Sequence, residues 1–269
     1  MRFDAYCASI KERELGHVVE CLSRSIDGIA CKGKSMRRYA SVVNIDRGGR
    51  MAAWIGQDAE TGAIYVEGKG ETSPLLAKAI RAHFPGHSAP RIDVAEDFDE
   101  PGVFELLQCI VRAHKGARVK GGYVALPDDV EDGKTWAAGV RGGVGYVRVY
   151  EAGKHPDRLH LAKPNWVRAE LECRPHYARD KLAAARMSPL EVWGLSSWTQ
   201  RVGEALTTVD IPRFEPQFRA FSHTKTQRYV FNTFRRMFEQ MSADGEHIEA
   251  TMKQCWLESD EAKRNMRSM

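Results

Sequence analysis

An α+β fold is what this sequence predicts: an antiparallel β-sheet with helices packed on one face, followed by a helical C-terminal segment. Three observations carry that reading. Short runs alternate apolar and polar residues, as half-buried antiparallel strands do. Helix-start signals are interspersed among them. From Ser188 onward the pattern is helical, with a composition shift near Met187. The expected division is a mixed α+β body at 1–186 and a helical part at 187–269.

Element by element, Ser9-Ile10-Lys11-Glu12 reads as a capping box, with Leu15, Val18, Val19 and Leu22 at helical spacing. A helix is expected from about Ile10 to Arg24. Strand-like runs follow at Tyr39 to Ile45, Met51 to Ile55 and Ile64 to Glu67, the first two joined by a Gly48-Gly49 turn. Lys32, Lys34, Arg37, Arg38, Arg47 and Arg50 make this region basic, either as a solvated sheet face or as a phosphate-contacting one.

Ser73-Pro74 opens a second helix that stops before Pro85. Asp99-Glu100-Pro101 opens a third, carrying Phe104, Leu107, Ile110 and Val111 and ending near Gly116. Gly116 to Lys134 reads as turns, with Gly121-Gly122 and Pro127-Asp128-Asp129. Ser188-Pro189-Leu190-Glu191 combines an N-cap, a first-turn proline and a capping-box glutamate. Val230, Phe234, Met237, Phe238 and Met241 line one face of a later helix.

Composition narrows the class. At 269 residues, 43% hydrophobic and 28% charged, the chain can bury a core without covalent staples. Its six cysteines are scattered with no C-x-x-C pair, so neither a zinc site nor a disulfide framework is expected. No apolar run is long enough to span a membrane, and Met1-Arg2-Phe3-Asp4-Ala5 lacks a signal-peptide pattern. A cytoplasmic protein without a membrane partner is the expectation. The net charge of +4 permits nucleic-acid binding without demanding it.

The chemistry is suggested by three strands, each apolar on one side and ionisable on the other. In Arg91-Ile92-Asp93-Val94-Ala95-Glu96-Asp97 the period of two aligns Arg91, Asp93 and Asp97. In Tyr146-Val147-Arg148-Val149-Tyr150 it aligns Tyr146, Arg148 and Tyr150. In Trp166 to Arg174 it aligns Arg168, Glu170, Glu172 and Arg174. A solvated face with cross-strand ion pairs accounts for any one of them. Together, as neighbours, they would supply what phosphodiester chemistry needs. Carboxylates hold a hard cation such as Mg²⁺ or Mn²⁺, arginine forks bind phosphate oxygens, and a tyrosine hydroxyl beside a metal or a base becomes a nucleophile.

In order along the chain, these blocks resemble the trans-acting rolling-circle replication initiators of small plasmids and filamentous phages, and the related relaxases of integrative elements. Arg91 to Asp99 is similar to the family's R-x-D-x-A-x-D-F strand. Gly139 to Tyr150 resembles its G-[SV]-R-x-S-x-x-[FY]-x-R-[IV]-Y block without a gap, and Trp166 to Glu172 resembles W-x-R-x-E-x-E. The likeness spans about Arg91 to Arg174.

It implies a DNA nicking-and-joining enzyme acting through a 5′-phosphotyrosine at Tyr150. It makes Asp93 the leading metal ligand, with Glu170 or Glu172 completing the site and Asp97 in support, for Mg²⁺ or Mn²⁺. Arg148 and Arg168 match basic positions, and Tyr146 matches a wall or stacking position. The second block also contains Arg141 as a DNA contact. Origin DNA and single-stranded DNA are the implied ligands, a host helicase and polymerase the implied partners, and a homodimer is allowed.

Two departures stand out: the family's serine is Gly143 here, and its lysine two positions after the tyrosine is Ala152. Lys154 is the nearest replacement. The His-hydrophobic-His motif of other initiators is missing, and His83, His87, His155 and His160 read as surface or structural residues. Further along, Arg228, Arg235 and Arg236, interleaved with aromatics such as Phe221 and Tyr229, form a candidate DNA-binding helix. Rival readings are a relaxase, a hydrolytic metal-dependent nuclease, and a DNA-binding regulator without catalysis. Glu170-Leu171-Glu172 lacks the lysine many such nucleases carry, which counts against the second.

Overall fold

A computed structural model describes residues 1–34, 38–125 and 133–215. Its centre is one antiparallel sheet of ten strands: β1 (Arg2–Ile10), β2 (Ile29–Lys32), β3 (Tyr39–Arg47), β4 (Arg50–Asp58), β5 (Ile64–Lys69), β6 (Ser88–Asp99), β7 (Gly121–Ala125), β8 (Thr135–Gly139), β9 (Tyr146–Tyr150) and β10 (Trp166–Cys173). Their order across the sheet is β2-β3-β4-β5-β1-β6-β10-β9-β8-β7. The helices are α1 (Leu15–Ile26), α2 (Ser73–His83), α3 (Val103–His114), α4 (Ala178–Ala184), α5 (Pro189–Val192) and α6 (Ser197–Thr207). None of the described helices is long and apolar enough to cross a membrane.

Period-two alternation builds the core. Tyr6, Ile55, Val66, Ile92, Val94, Leu171, Val147 and Val149 are buried on one face, and Leu22, Leu76, Ile80, Phe104, Leu107 and Val111 from α1, α2 and α3 join them in one apolar cluster. The expected α+β architecture is therefore the observed one. The alternate residues of the same strands face away from this cluster and carry the ionisable groups.

Four local expectations give way to tertiary structure. Ser9 and Ile10 do not start a helix. They end β1, which pairs with β5 on one side and β6 on the other, and α1 begins at Leu15 with no side-chain cap. Two strand ladders satisfy this backbone more fully than a cap could. Gly121-Gly122 is strand rather than turn, because β7 pairs with β8 and a Cβ at Gly121 would run into the Trp136 ring. The strand β8 itself, Thr135–Gly139, was not anticipated. Finally, α5 and α6 do not begin a separate body at Met187: Val192, Trp193, Leu195 and Val202 belong to the same core cluster. The compact unit runs to Gln217, and the second, Phe218–Met269, lies outside the described residues, as does the helix expected around Val230.

Other signals hold. Gly48 and Gly49 both take positive φ, and the Gly49 N–H donates to Asp46 Oδ1 at 2.9 Å, closing the β3–β4 hairpin. Ser188 and Glu191 form a reciprocal capping box. His87 is buried between the Tyr6 hydroxyl (2.7 Å) and the Phe84 carbonyl (2.6 Å), a packing role.

The thiols separate by depth. Burial pushes Cys7 up to about 12 and raises Cys173 further, whereas Cys31 and Cys109 are exposed. Only thiolate reacts readily. Titration of the native protein with a thiol reagent, followed by peptide mapping, is expected to modify Cys31 and Cys109 quickly. Cys7 and Cys173 should react only on unfolding, and rapid native labelling of Cys7 would contradict this packing.

Candidate active site

Side by side in the sheet, β6, β10 and β9 form three rungs. Asp97 pairs with Arg168 and Arg168 with Tyr150; Ala95 with Glu170 and Glu170 with Arg148; Asp93 with Glu172 and Glu172 with Tyr146. Residues two apart on one strand share a face, and neighbouring strands lie about 4.8 Å apart. The ionisable side chains of the three sequence blocks thus converge on the face opposite the helices.

At the middle rung, the Tyr150 hydroxyl donates to Glu170 Oε2 at 3.2 Å, and Arg148 donates to Glu170 Oε1 at 2.5 Å. The Arg148 guanidinium also lies 5.7 Å from the centre of the Tyr150 ring. Its Nε is buried with no hydrogen-bond partner. Burial raises the Tyr150 hydroxyl, Glu170 adds to the rise, and Arg168 and Arg158 oppose it. A resting tyrosine here is protonated, with its proton aimed at a carboxylate.

At the third rung, Arg91 donates to both oxygens of Asp93 and stands 3.4 Å from Glu172, whose other oxygen accepts from Arg174 at 2.7 Å. Asp93, Glu170 and Glu172 are each no more than 3% exposed. Burial pushes the Asp93 carboxyl up to about 6 against the pull of Arg91, with repulsion from Glu170 and Glu172 adding to it. On Glu172 burial is outweighed by Arg174 and Arg91, and its pKa falls.

The first rung is a different device. Arg168, 3% exposed, holds Asp97 through Nε (2.7 Å) and Nη2 (3.1 Å) and reaches Asp4 through Nη1 (2.8 Å). Asp97 also accepts from Trp166 Nε1 (2.8 Å) and Arg2 (2.9 Å). These groups satisfy one another. Asp97 lies four residues from Asp93, roughly 13 Å along the strand. The geometry sets Asp97 apart from Asp93, Glu170 and Glu172, and engages Arg168, the register partner of Tyr150, in a cross-strand clamp between β10, β6 and β1.

Other expected residues fall at varying distance. Tyr146 is buried as the rung-mate of Glu172, in keeping with a wall position. Lys154 sits in the turn Ala152–Lys154 and pairs with Glu151 at 3.0 Å, and Ala152, two residues after Tyr150, is fully buried. Arg141 is exposed in the β8–β9 loop, at the end of β9 away from Tyr150. Arg228, Arg235 and Arg236 lie outside the described residues.

Sequence reasoning missed Asp4 and Arg158. Asp4 was hidden by a bulge between Phe3 and Ala5 that breaks the alternation of β1. Arg158, stacked 4.8 Å from the Trp166 ring centre, comes from an irregular turn with no periodic signal.

Among the described residues, no group of three or more His, Cys, Asp or Glu side chains is arranged to hold a metal ion. Asp93, Glu170 and Glu172 offer the oxygen donors that a hard divalent cation takes. The mutual repulsion felt at Asp93 is of the kind such a cation relieves. Their lone pairs are now engaged by Arg91, Arg148 and Arg174, which would have to turn aside.

The fold and this constellation define an α+β protein whose single antiparallel sheet presents a tyrosine, carboxylates and arginines on the face opposite α1, α2 and α3. A solved structure shares that fold: a rolling circle replication initiator protein from Geobacillus stearothermophilus, with a TM-score of 0.51 and 16% identity over 79% of this chain and 98% of that one. No protein-family model matches the chain, and no curated protein matches its sequence.

Because burial raises Asp93, its charged form costs stability. That cost is absent below the ordinary value of 3.8 and complete above about 6. Asp93→Asn is expected to stabilise the fold by about 1–2 kcal/mol above pH 6 and to leave it nearly unchanged below about pH 4. Urea melts at the two pH values measure the difference. A variant weaker than wild type above pH 6 would mean that the Arg91 pairing outweighs burial.

Proposed function

We propose that this protein is a DNA nicking-and-joining enzyme that initiates rolling-circle replication, with Tyr150 as nucleophile. The observation that carries the reading is the hydrogen bond from the Tyr150 hydroxyl to Glu170, held from the other side by Arg148. The fold shared with a replication initiator supports it, as does the ordered resemblance of the three sequence blocks.

Glu170 takes the phenolic proton as the Tyr150 oxygen attacks phosphorus. The phosphorus–O3′ bond breaks, the 3′ oxygen leaves and takes a proton from solvent water, and the 5′ phosphate remains esterified to Tyr150. Arg148, whose guanidinium lies 5.7 Å from the Tyr150 ring centre and whose Nε has no partner, suits a non-bridging phosphate oxygen, where charge accumulates. Arg158 adds positive field at the tyrosine. A Mg²⁺ or Mn²⁺ ion held by Asp93, Glu172 and Glu170 would supply Lewis-acid polarisation of the phosphate. Attack by the liberated or a new 3′ hydroxyl on the phosphotyrosine reverses the chemistry and joins strands. The substrates are origin DNA exposed as a single strand. The free 3′ end then needs a host polymerase, and strand displacement a helicase.

Incubation with single-stranded oligonucleotides spanning the candidate origin and Mn²⁺, read on a denaturing gel, tests this. Wild type is expected to give a shifted protein–DNA band that does not form when chelator is present from the start, and Tyr150→Phe none. Glu170→Gln should slow adduct formation by about 10²- to 10⁴-fold, the usual worth of a positioned base. Clean cleavage by both wild type and Tyr150→Phe without any shifted band would instead identify a hydrolytic nuclease.

A further inference from the structure

The sheet face opposite α1, α2 and α3 continues beyond the tyrosine cluster into an open groove of about 1380 Å³ over β1, β3, β4, β5 and β6, walled at one side by Ala178, Lys181 and Leu182 of α4. Its floor carries three half-buried aromatic rings, Tyr39, Trp54 and Tyr65, from three neighbouring strands. Trp54 meets Tyr39 edge-on at 4.8 Å and Tyr65 at 6.1 Å, and Tyr39 lies 6.4 Å from Tyr65. The rings of Trp54 and Tyr39 close over Gly56, where any Cβ would collide with both. The strand backbone thus sets their position, and they do not rest on a second layer of core.

The lining of the groove carries seven Lys and Arg side chains against two Glu; of the seven, Arg38, Lys69, Arg91 and Arg174 are ion-paired with Asp58, Glu67, Asp93 and Glu172. Among them Arg38 lies 5.8 Å from the Tyr39 ring centre. A positive groove floored with fixed aromatic faces is suited to a single nucleic-acid strand: phosphates meet the cations and bases stack on the rings. A duplex keeps its bases stacked inside and gains nothing from such rings.

The groove joins the tyrosine site physically. Arg91 and Arg174 line it and also hold Asp93 and Glu172. Register leads across the sheet from Trp54 to Glu67, Cys7 and Arg91. Five strand spacings across the sheet, about 24 Å, and a six-residue offset along the strands, about 20 Å, separate Trp54 on β4 from Tyr150 on β9, about 31 Å in all.

We infer that Tyr39, Trp54 and Tyr65 form a base-stacking platform that holds the single strand flanking the nicked phosphate. The identity of that strand rests on the nicking reading; the platform itself rests on the groove.

The test is binding of the full-length protein to a fluorescein-labelled oligothymidylate, followed by anisotropy over a range of salt concentrations. Trp54→Ala is expected to weaken binding about 5- to 100-fold, the range for loss of one stacked base. The slope of log affinity against log salt should stay unchanged, because no phosphate contact is removed. Trp54→Phe, which keeps an aromatic face, should bind within a few-fold of wild type. An abasic oligomer of the same length, which loses stacking on all three rings, should bind wild type more weakly than oligothymidylate binds Trp54→Ala, and unlabelled duplex should compete poorly.

Equal binding of abasic and thymidylate oligomers, or effective competition by duplex, would overturn the platform even if Trp54→Ala failed to fold. The adduct gel with Tyr150→Phe reads the nicking chemistry separately, so either inference can fail while the other stands.

Discussion

The unbroken antiparallel register of β6, β10 and β9 is the constraint on which the rest of this molecule depends. From Asp93 to Asp97 each residue has a partner on β10, and from Tyr146 to Tyr150 so does each residue of β9. A slip of one residue on any of the three strands would turn its charges into the apolar core and its valines into solvent. The alternation that buries Val94, Leu171 and Val147 therefore also assembles the polar face opposite them. Fold and site are two readings of the same hydrogen-bond ladder.

Assembling that face is costly. Removing a carboxylate from water carries a penalty that a partner only partly repays. Here the repayment comes from arginines on adjacent rungs: Arg148 for Glu170, Arg91 for Asp93, Arg174 for Glu172. Asp93 remains the least compensated, and its raised pKa records this. Arg168 illustrates the opposite case. Two carboxylates saturate its fork, and it fastens β10 to β6 and β1, the central strand of the sheet. Rigidity at that clamp keeps the Tyr150 hydroxyl within reach of Glu170 without help from a flexible loop.

Which parts of this were legible in the sequence follows from range. Period-two faces, the Gly48-Gly49 hairpin and the Ser188 capping box are encoded within a few residues, and each appears as expected. β1 was misread because its edges mimic a helix cap while both of its neighbours, β5 and β6, are distant in sequence. β7 reads as a turn because it opens on two glycines, one of which, Gly121, lies against the Trp136 ring of β8. At the site, parity placed Tyr150, Arg148, Glu170, Glu172 and Asp93 on one face. Parity could not say which carboxylate each arginine would take. That choice separates Asp97 from Asp93, and it depends on Asp4, which is 164 residues from Arg168.

The two halves of the sheet face opposite α1, α2 and α3 share a property that stability alone does not explain. Replacing buried ion pairs by apolar side chains is often neutral or stabilising, and a sheet face bearing Tyr39, Trp54 and Tyr65 would be better protected under a helix. Instead α1, α2 and α3 contribute to the apolar cluster on the other side. One half keeps buried carboxylates, with Asp93 raised by burial and further by its acidic neighbours, and the other keeps aromatic rings set over a glycine. Arg91 and Arg174 belong to both. A face that sets arginines and open rings side by side is organised around a ligand combining negative charge with flat, stackable surfaces. A nucleic-acid strand combines both in one repeating unit.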